Sequence, residues 1–468
     1  MSFAATFSNA LSGISASTLR AEVLSFNIAN AQTDHYSRRA VAFEPLVPGG
    51  VRALGISRAQ AGAADADLIG AEARAQGAGV RAEAALAINR GFGDADDTNG
   101  LYAVFGRFEQ ALSDLRLTPE SGSAQTALLR AAQDVAETFA RLNADAQQMR
   151  LNADRAIGQT VGRINDALSQ LSRLNADARR PRGINLDTVA ERQRALVAEI
   201  SREMDIRVDG KYGGELTIRT RGGYLLLGEE PAELSFTPSG SMSFNLSYAN
   251  GDLSGLFVDG RDITPTMLQG VKEGGLAAQF AVRDSLVPDY ATRLDALAQD
   301  LADRLAAADS TAVEGLFVLH AGLTSAAERL AVNAAVDPAQ GGELFRLRDG
   351  VGAGAPGPAA GQGVLGEIEA ALDALRPLTA ATSDAGAYAF RDLLGAVATR
   401  LGTQALRADE RREGAAEART SIETEVTRLT GVDTDRELQD LLLVEQAFAA
   451  NARVIRVADE MLRQLLEF

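Results

Sequence analysis

The chain has 468 residues, 23% charged and 46% hydrophobic, a globular composition too long for one core, so two or three domains are expected. A net charge of -17 would repel a phosphate backbone, which argues against general nucleic-acid binding. Cysteine is absent, which removes disulfides, thiolate metal sites and cysteine nucleophiles, and no run of about 18 apolar residues offers a transmembrane helix.

Residues 2–31 read as an amphipathic helix. Phe3, Phe7, Ala10, Ile14, Ser17, Ala21, Leu24 and Ile28 recur at alternating steps of four and three, a heptad-like stripe. A cleavable secretory signal needs a basic start and a continuous apolar run, whereas the first basic residue here is Arg20. If the chain leaves the cell, it is therefore expected to do so without a cleaved signal peptide. Residues 27–39 are polar and read as a loop, and 40–60 read as loosely extended chain punctuated by Pro45, Pro48 and Gly49-Gly50. Helical patterns dominate 62–204. Leu101, Val104, Phe105, Phe108, Leu112 and Leu115 form an apolar face stopped by Pro119, and a long helix is expected over about 123–179. Thr188 and Glu191 make a capping-box pair at the start of another helix.

The texture changes near Ile206. Strand-like segments at 206–209, 215–220, 223–227, 233–237, 242–248 and 254–258 are separated by Gly213-Gly214, Gly222-Gly223 and Asn250-Gly251, which suit tight turns. Residues 206–272 thus read as a small β-rich insertion. Helix returns over about 275–309 on a stripe of Leu286, Tyr290, Leu294, Leu297, Leu301 and Leu305. Residues 316–349 are mixed, and 350–363 form a Gly/Ala/Pro linker or loop. Helices fill 364–376 and about 387–430, Gly431 is a natural stop, and Thr434 with Glu437 reads as a capping box for a last helix. The fold class is mainly α with a small β-rich inserted domain. An elongated molecule is expected, with N- and C-terminal helices paired as a coiled-coil-like end and a helical bundle in the middle. Its divisions are expected at 1–60 with 432–468, 61–205 with 273–431, and 206–272.

The last helix carries two apolar stripes. Leu441, Val444, Phe448, Ala452, Ile455, Ala458, Leu462 and Leu465 form one; Leu443, Ala447, Ala450, Val454, Val457 and Met461 form another on a different face. One partner helix cannot cover both. The pattern is met by an interior bundle helix, the commoner case, and by a helix buried between subunits.

Residues 431–468 resemble the C-terminal signature of flagellar rod, hook and hook-associated proteins. The likeness is carried by Ala447-Phe448-Ala449-Ala450-Asn451-Ala452, Val454-Ile455 and Ala458-Asp459-Glu460-Met461-Leu462. Residues 11–39 resemble the N-terminal signature of the same proteins, with Asn27-Ile28-Ala29-Asn30-Ala31 at its core. Tyr36-Ser37-Arg38 and the segments 101–142, 186–204 and 275–309 are similar to the FlgK family of hook-associated proteins, the hook–filament junction type. The likeness is weak over 206–272 and 340–363.

The resemblance implies a non-enzymatic structural component of the bacterial flagellum, extracellular, that joins hook to filament and templates filament assembly. It implies a homo-oligomeric ring, contacts with the hook protein and a second junction protein of FlgL type, and an export chaperone of FlgN type on the C-terminal helix. It implies no cofactor, nucleic acid or membrane. The assembly interface is expected at Phe3, Phe7, Ile14, Leu24, Asn27, Ile28, Asn30, Tyr36, Leu441, Val444, Phe448, Ala452, Ile455, Met461, Leu462 and Leu465. A hook or distal-rod subunit is the alternative, disfavoured by the long helical middle. A secreted enzyme anchored by its ends is another, but the insertion lacks an acid/base pair and is small for a catalytic domain.

One departure stands inside the N-terminal motif. The family's usual Pro-Gly before the tyrosine is here Asp34-His35. Pro-Gly sets a positive φ at glycine, so this loop is expected to turn differently, with His35 a turn residue rather than a ligand. Gly352, Gly354 and Gly357 match a phosphate-loop spacing but sit among prolines and after no strand, so a loop is expected. Asp94, Asp96 and Asp97 lack the calcium-loop spacing and read as a solvated turn.

Overall fold

A computed structural model describes residues 3–33, 35–47, 49–93, 98–179, 186–265, 273–322, 325–358, 361–377 and 386–466. The acidic cluster at 94–97 and Asp34 lie outside the described residues.

The heptad stripe at the N-terminus forms α1 (Phe3–Ala29). Where the pattern suggested loosely extended chain, β1 (Arg39–Pro45) and β2 (Val51–Arg58) form an antiparallel hairpin whose register shifts between Ala42 and Phe43. The hairpin is held by α1 rather than by its own alternation. Val51 N donates to Ser12 Oγ at 3.2 Å, and the far turn lies so close that a Cβ on Gly49 would stand 2.5 Å from the Asn9 amide nitrogen.

Four helices follow: α2 (Ala63–Phe92), α3 (Leu101–Leu117), α4 (Gly122–Arg179) and α5 (Leu186–Glu203). Helix α3 ends two residues before Pro119, and Ser121 Oγ caps α4 by accepting from Ala124 N at 3.3 Å. At 58 residues, α4 is about 87 Å long. The Thr188–Glu191 box does not start α5. That helix begins at Leu186, so Thr188 lies within its first turn, and the Glu191 carboxylate instead accepts from Arg39 Nη2 at 2.9 Å.

Among its described residues the insertion holds two three-stranded antiparallel sheets. The first is β3 (Ile206–Gly210), β4 (Leu216–Thr220) and β5 (Leu225–Leu227); the second is β6 (Leu234–Ser235), β7 (Phe257–Val258) and β8 (Arg261–Asp262). The expected strand at 242–248 is not one. This stretch is turns, and Arg150 of α4 takes up its carbonyls, donating to Ser243 O at 2.8 Å and Leu246 O at 2.5 Å. Side-chain amides on α4 stand in for missing ladder partners. Asn175 pairs with the Leu216 N–H and C=O, and Asn165 with those of Leu234, at 2.8–3.0 Å.

Helix then resumes as α6 (Gly275–Ala281), a π-helical turn at Val282–Leu286, and α7 (Val287–Ala308). Two short ladders follow, Phe317–Leu319 with Leu330–Val332 and Arg376–Pro377 with Ala387–Tyr388, flanking α8 (Leu365–Asp373). The described residues of the 350–363 stretch form a loop. It is pinned by Val351 N to Asp309 Oδ2 at 2.7 Å and Gly357 N to Asp349 Oδ2 at 2.9 Å. The chain closes with α9 (Phe390–Thr430) and α10 (Thr434–Leu466).

Two apolar cores lie along α4. One joins its N-terminal half to α3, α7, α8 and the start of α9; the other joins its C-terminal half to α5, α6 and the strands of the insertion. Helices α2 and α9 pair antiparallel, with Glu72 on Arg419 at 3.1 Å and Gly402 beside Asn89. Small alanines at the seam permit this approach. Beyond the body, α1 and α10 pack on each other.

Candidate assembly interface

Helices α1 and α10 run antiparallel. Asn27 meets Glu437 at one end of the pair, and Gly13 meets Asn451 farther along. Ala10, Val23 and Leu24 of α1 are buried, as are Val444 and Ala458 of α10. The first stripe of α10 therefore faces α1, with Leu441, Ala452 and Ile455 half-buried along the seam. The second stripe does not. Leu443 is 59% exposed, Val457 53% and Met461 51%, while Leu442 and Val454 are also open. Phe7, Leu11 and Phe26 add exposed apolar surface on α1, and Phe448 and Leu462 do so on α10.

The joint between this pair and the body is polar and buried. Asn27 is fully enclosed and uses its whole amide. Its nitrogen donates to Arg39 O (2.9 Å) and Glu437 Oε2 (2.8 Å), and its oxygen accepts from Tyr36 Oη (2.7 Å) and Arg39 N (3.0 Å). Glu437, also fully enclosed, takes Arg38 Nε on its other oxygen at 2.5 Å. Arg38 N donates to Thr430 O at 2.8 Å, which ties the same loop to the end of α9. Next along, the Arg39 guanidinium lies 4.4 Å from the Phe26 ring centre and pairs with Glu191 of α5. Arg194 of α5 donates to Ser37 Oγ at 3.2 Å and to Asp65 of α2 at 3.1 Å. Residues 36–39 thus bind elements of both the terminal pair and the body.

His35 opens this loop with φ at 62°, in the left-handed region. The turn expected to change has kept the positive φ that a Pro-Gly pair supplies, and a non-glycine residue takes that conformation itself. Between the 31–36 turn and α2, α5 and α9 lies a cavity of about 470 Å³, lined by Tyr36, Asp65, Arg194 and Tyr212 among others. Burial raises the Tyr212 phenol to about 12, against the opposing pull of Arg194, whose guanidinium lies 5.1 Å from its ring centre.

The expected interface residues divide by location. Leu24, Asn27, Tyr36 and Val444 are buried inside the chain; Ile14, Ile28, Leu441, Ala452 and Ile455 line the seam; Phe7, Phe448, Met461 and Leu462 are open. Asn30 closes α1, its amide donating to Phe26 O at 2.9 Å. The side chains of Phe3 and Leu465 lie outside the described set. Glu437 was missed as a seam residue because it read as the capping partner of Thr434. The cap is Asp433, whose Oδ1 accepts from Asp435 N at 3.1 Å and Arg436 N at 3.2 Å. A signal was present: Glu437 stands four residues before Leu441, in line with the buried stripe. Among the described residues, no group of three or more His, Asp or Glu is placed to hold a metal ion.

The sequence has counterparts among known proteins. Residues 87–314 match the model of the flagellar hook-associated protein FlgK helical domain. Residues 428–468, which contain α10, match the flagellar basal body rod FlgEFG protein C-terminal model. The chain is similar to flagellar hook-associated protein 1 of Bacillus subtilis, 25% identical over 280 residues, covering 56% of this chain and 52% of that protein. Its counterpart in Salmonella typhimurium is 25% identical over 245 residues, covering 49% and 44%. The solved flagellar hook junction protein FlgK of Burkholderia pseudomallei aligns with a TM-score of 0.45 at 18% identity, covering 55% of this chain and 47% of that one. The chain spans about half the length of the curated relatives it matches. In its helical body and in its rod-type C-terminal segment the chain is thus similar to structural proteins of the flagellum. Within that class the matches are to the FlgK family of hook-associated proteins, across about half of the chain.

Proposed function

We propose that this chain is the structural adaptor that joins hook to filament and templates filament assembly. The observation that carries the reading is the state of α10. One apolar stripe packs on α1 through Leu441, Val444, Ala452, Ile455 and Ala458, and the second, through Leu443, Val454, Val457 and Met461, is left open together with Phe448 and Leu462. Exposed apolar surface of this extent on one helix marks a site of association. In the proposed assembly, neighbouring copies in a ring cover that stripe, and the terminal pair lies in the inner wall of the tube. The hook protein contacts one side of the ring and a second junction protein of FlgL type the other.

Before assembly the same face needs protection, which fits an export chaperone of FlgN type on α10. The long helical body favours the junction role over that of a hook or distal-rod subunit, and the role is structural rather than catalytic. The test is deletion of residues 437–468. Loss of incorporation into flagella with the body still folded is expected, and normal incorporation of the truncated chain would sink the reading. Electron microscopy of a strain lacking the protein should show hooks without filaments and filament subunits released outside.

A further inference from the structure

The stripes that join α1 and α10 repeat with heptad spacing on both helices. A slide of seven residues therefore restores apolar contact along most of the seam, and small residues such as Ala10, Ser17 and Ala458 resist such a slide weakly. The link to α9 is only Gly431–Val432–Asp433, yet unwinding the first turns of α10 would accommodate a slide in either direction. Apolar matching leaves the register degenerate.

Polar groups at the seam do not repeat. Asn27 and Glu437 are both fully enclosed and directly bonded at 2.8 Å. A slide that brings Val444 to Asn27 removes the acceptor of one amide hydrogen and moves the Glu437 carboxylate away from Arg38 and Asn27 together. A second contact marks the same alignment. A Cβ on Gly13 would stand 2.6 Å from the Asn451 amide nitrogen, so the helices touch there. Gly13 and Asn27 are fourteen residues apart (27 less 13), and so are Glu437 and Asn451 (451 less 437), two heptads on each helix. We infer that the buried Asn27–Glu437 contact is the register pin of the terminal helix pair. It selects one of several heptad-related alignments and so fixes where the exposed stripe of α10 is presented. The use for that stripe rests on the assembly reading above; the pin itself does not. A single buried polar contact fixes register in this way in helix pairs generally.

Because the chain has no cysteine, introduced thiols report alone. Gly13→Cys with Asn451→Cys reports the observed register. Gly13→Cys with Val444→Cys or Ala458→Cys, each with Asn451→Ala, reports a slide of one heptad either way. Oxidative cross-linking is measured on the purified, unassembled chain, so the outcome does not depend on incorporation into flagella. The parent is expected to capture the 13–451 pair about tenfold over the slid pairs. Glu437→Gln, which keeps an acceptor for Asn27, should retain that preference. Asn27→Leu with Glu437→Leu replaces the pin with apolar surface. It should stay helical while the three pairs come within about threefold of one another. The parent's preference persisting in the double leucine variant would overturn the pin. So would equal capture of all three pairs in the parent. Loss of all cross-links in the double variant would also overturn it, because the contact would then be needed for pairing itself.

Discussion

Replacing Leu443 and Val457 together by arginine strikes the open stripe of α10 without touching its seam with α1. Their side chains are 59% and 53% exposed, so about half of each remains to be covered by a neighbour. Fully burying such a side chain is worth about 1.5–3 kcal/mol, so the outstanding half is worth about 1 kcal/mol each, or about 2 per copy. Two guanidinium groups pressed against an apolar neighbour add a desolvation cost of several kcal/mol. A combined penalty of about 5 kcal/mol lowers occupancy of a site in the tube by more than about a thousandfold. The isolated chain should be unaffected, with its circular dichroism and melting unchanged to within about 0.5 kcal/mol, because exposed positions carry little folding energy. Incorporation is read by quantifying the protein in purified flagella and by immunoelectron microscopy at the hook tip. Wild-type incorporation of a normally folded double variant would refute the claim that this face is buried in the assembly.

Three further outcomes are expected. Asp154→Ala removes the partner of Arg283 Nη1 (2.8 Å) and the acceptor of Ser239 N (2.6 Å) in a fully enclosed site, and should cost about 3 kcal/mol, read by urea unfolding. It should also raise protease cleavage within 236–254, the segment these groups tie to α4. His35→Gly relieves a left-handed non-glycine residue and should slow amide exchange across 31–39 by up to about 1 kcal/mol, whereas His35→Ala should not. The Tyr212 phenol is held at about 12 by burial, above the unfolded value near 10. Its contribution to stability is therefore complete below about pH 10 and is lost as pH rises through 12. Tyr212→Phe should flatten that part of the alkaline decline in melting temperature.

Local periodicity determined the helices. A stripe at steps of three and four needs only neighbouring residues to define it, which is why α1, α3, α4, α7 and α10 lie where the pattern put them. The double stripe on α10 likewise announced a helix with more apolar surface than one partner covers. Tertiary structure decided what local pattern could not. Residues 39–58 became a hairpin because α1 supplies a surface and Ser12 a partner. Residues 242–248 failed to form a strand because Arg150 of α4 satisfies their carbonyls from 93 residues away. The insertion shares its core with α4 and α5, since its short strands lack an apolar face large enough to stand alone.

At the interface the division is sharper. Asn27, Tyr36 and Val444 were legible as motif or stripe residues. Glu437 was not, because a carboxylate three places after a threonine at a helix start reads as a cap. Only the approach of Asn27 and Arg38, roughly four hundred positions away in sequence, gives that carboxylate the donors it needs to be buried. Likewise, one sequence shows that α10 has two apolar faces, but which face α1 covers depends on the alignment of two helices at opposite ends of the chain. That alignment is a long-range fact, and local periodicity carries no record of it.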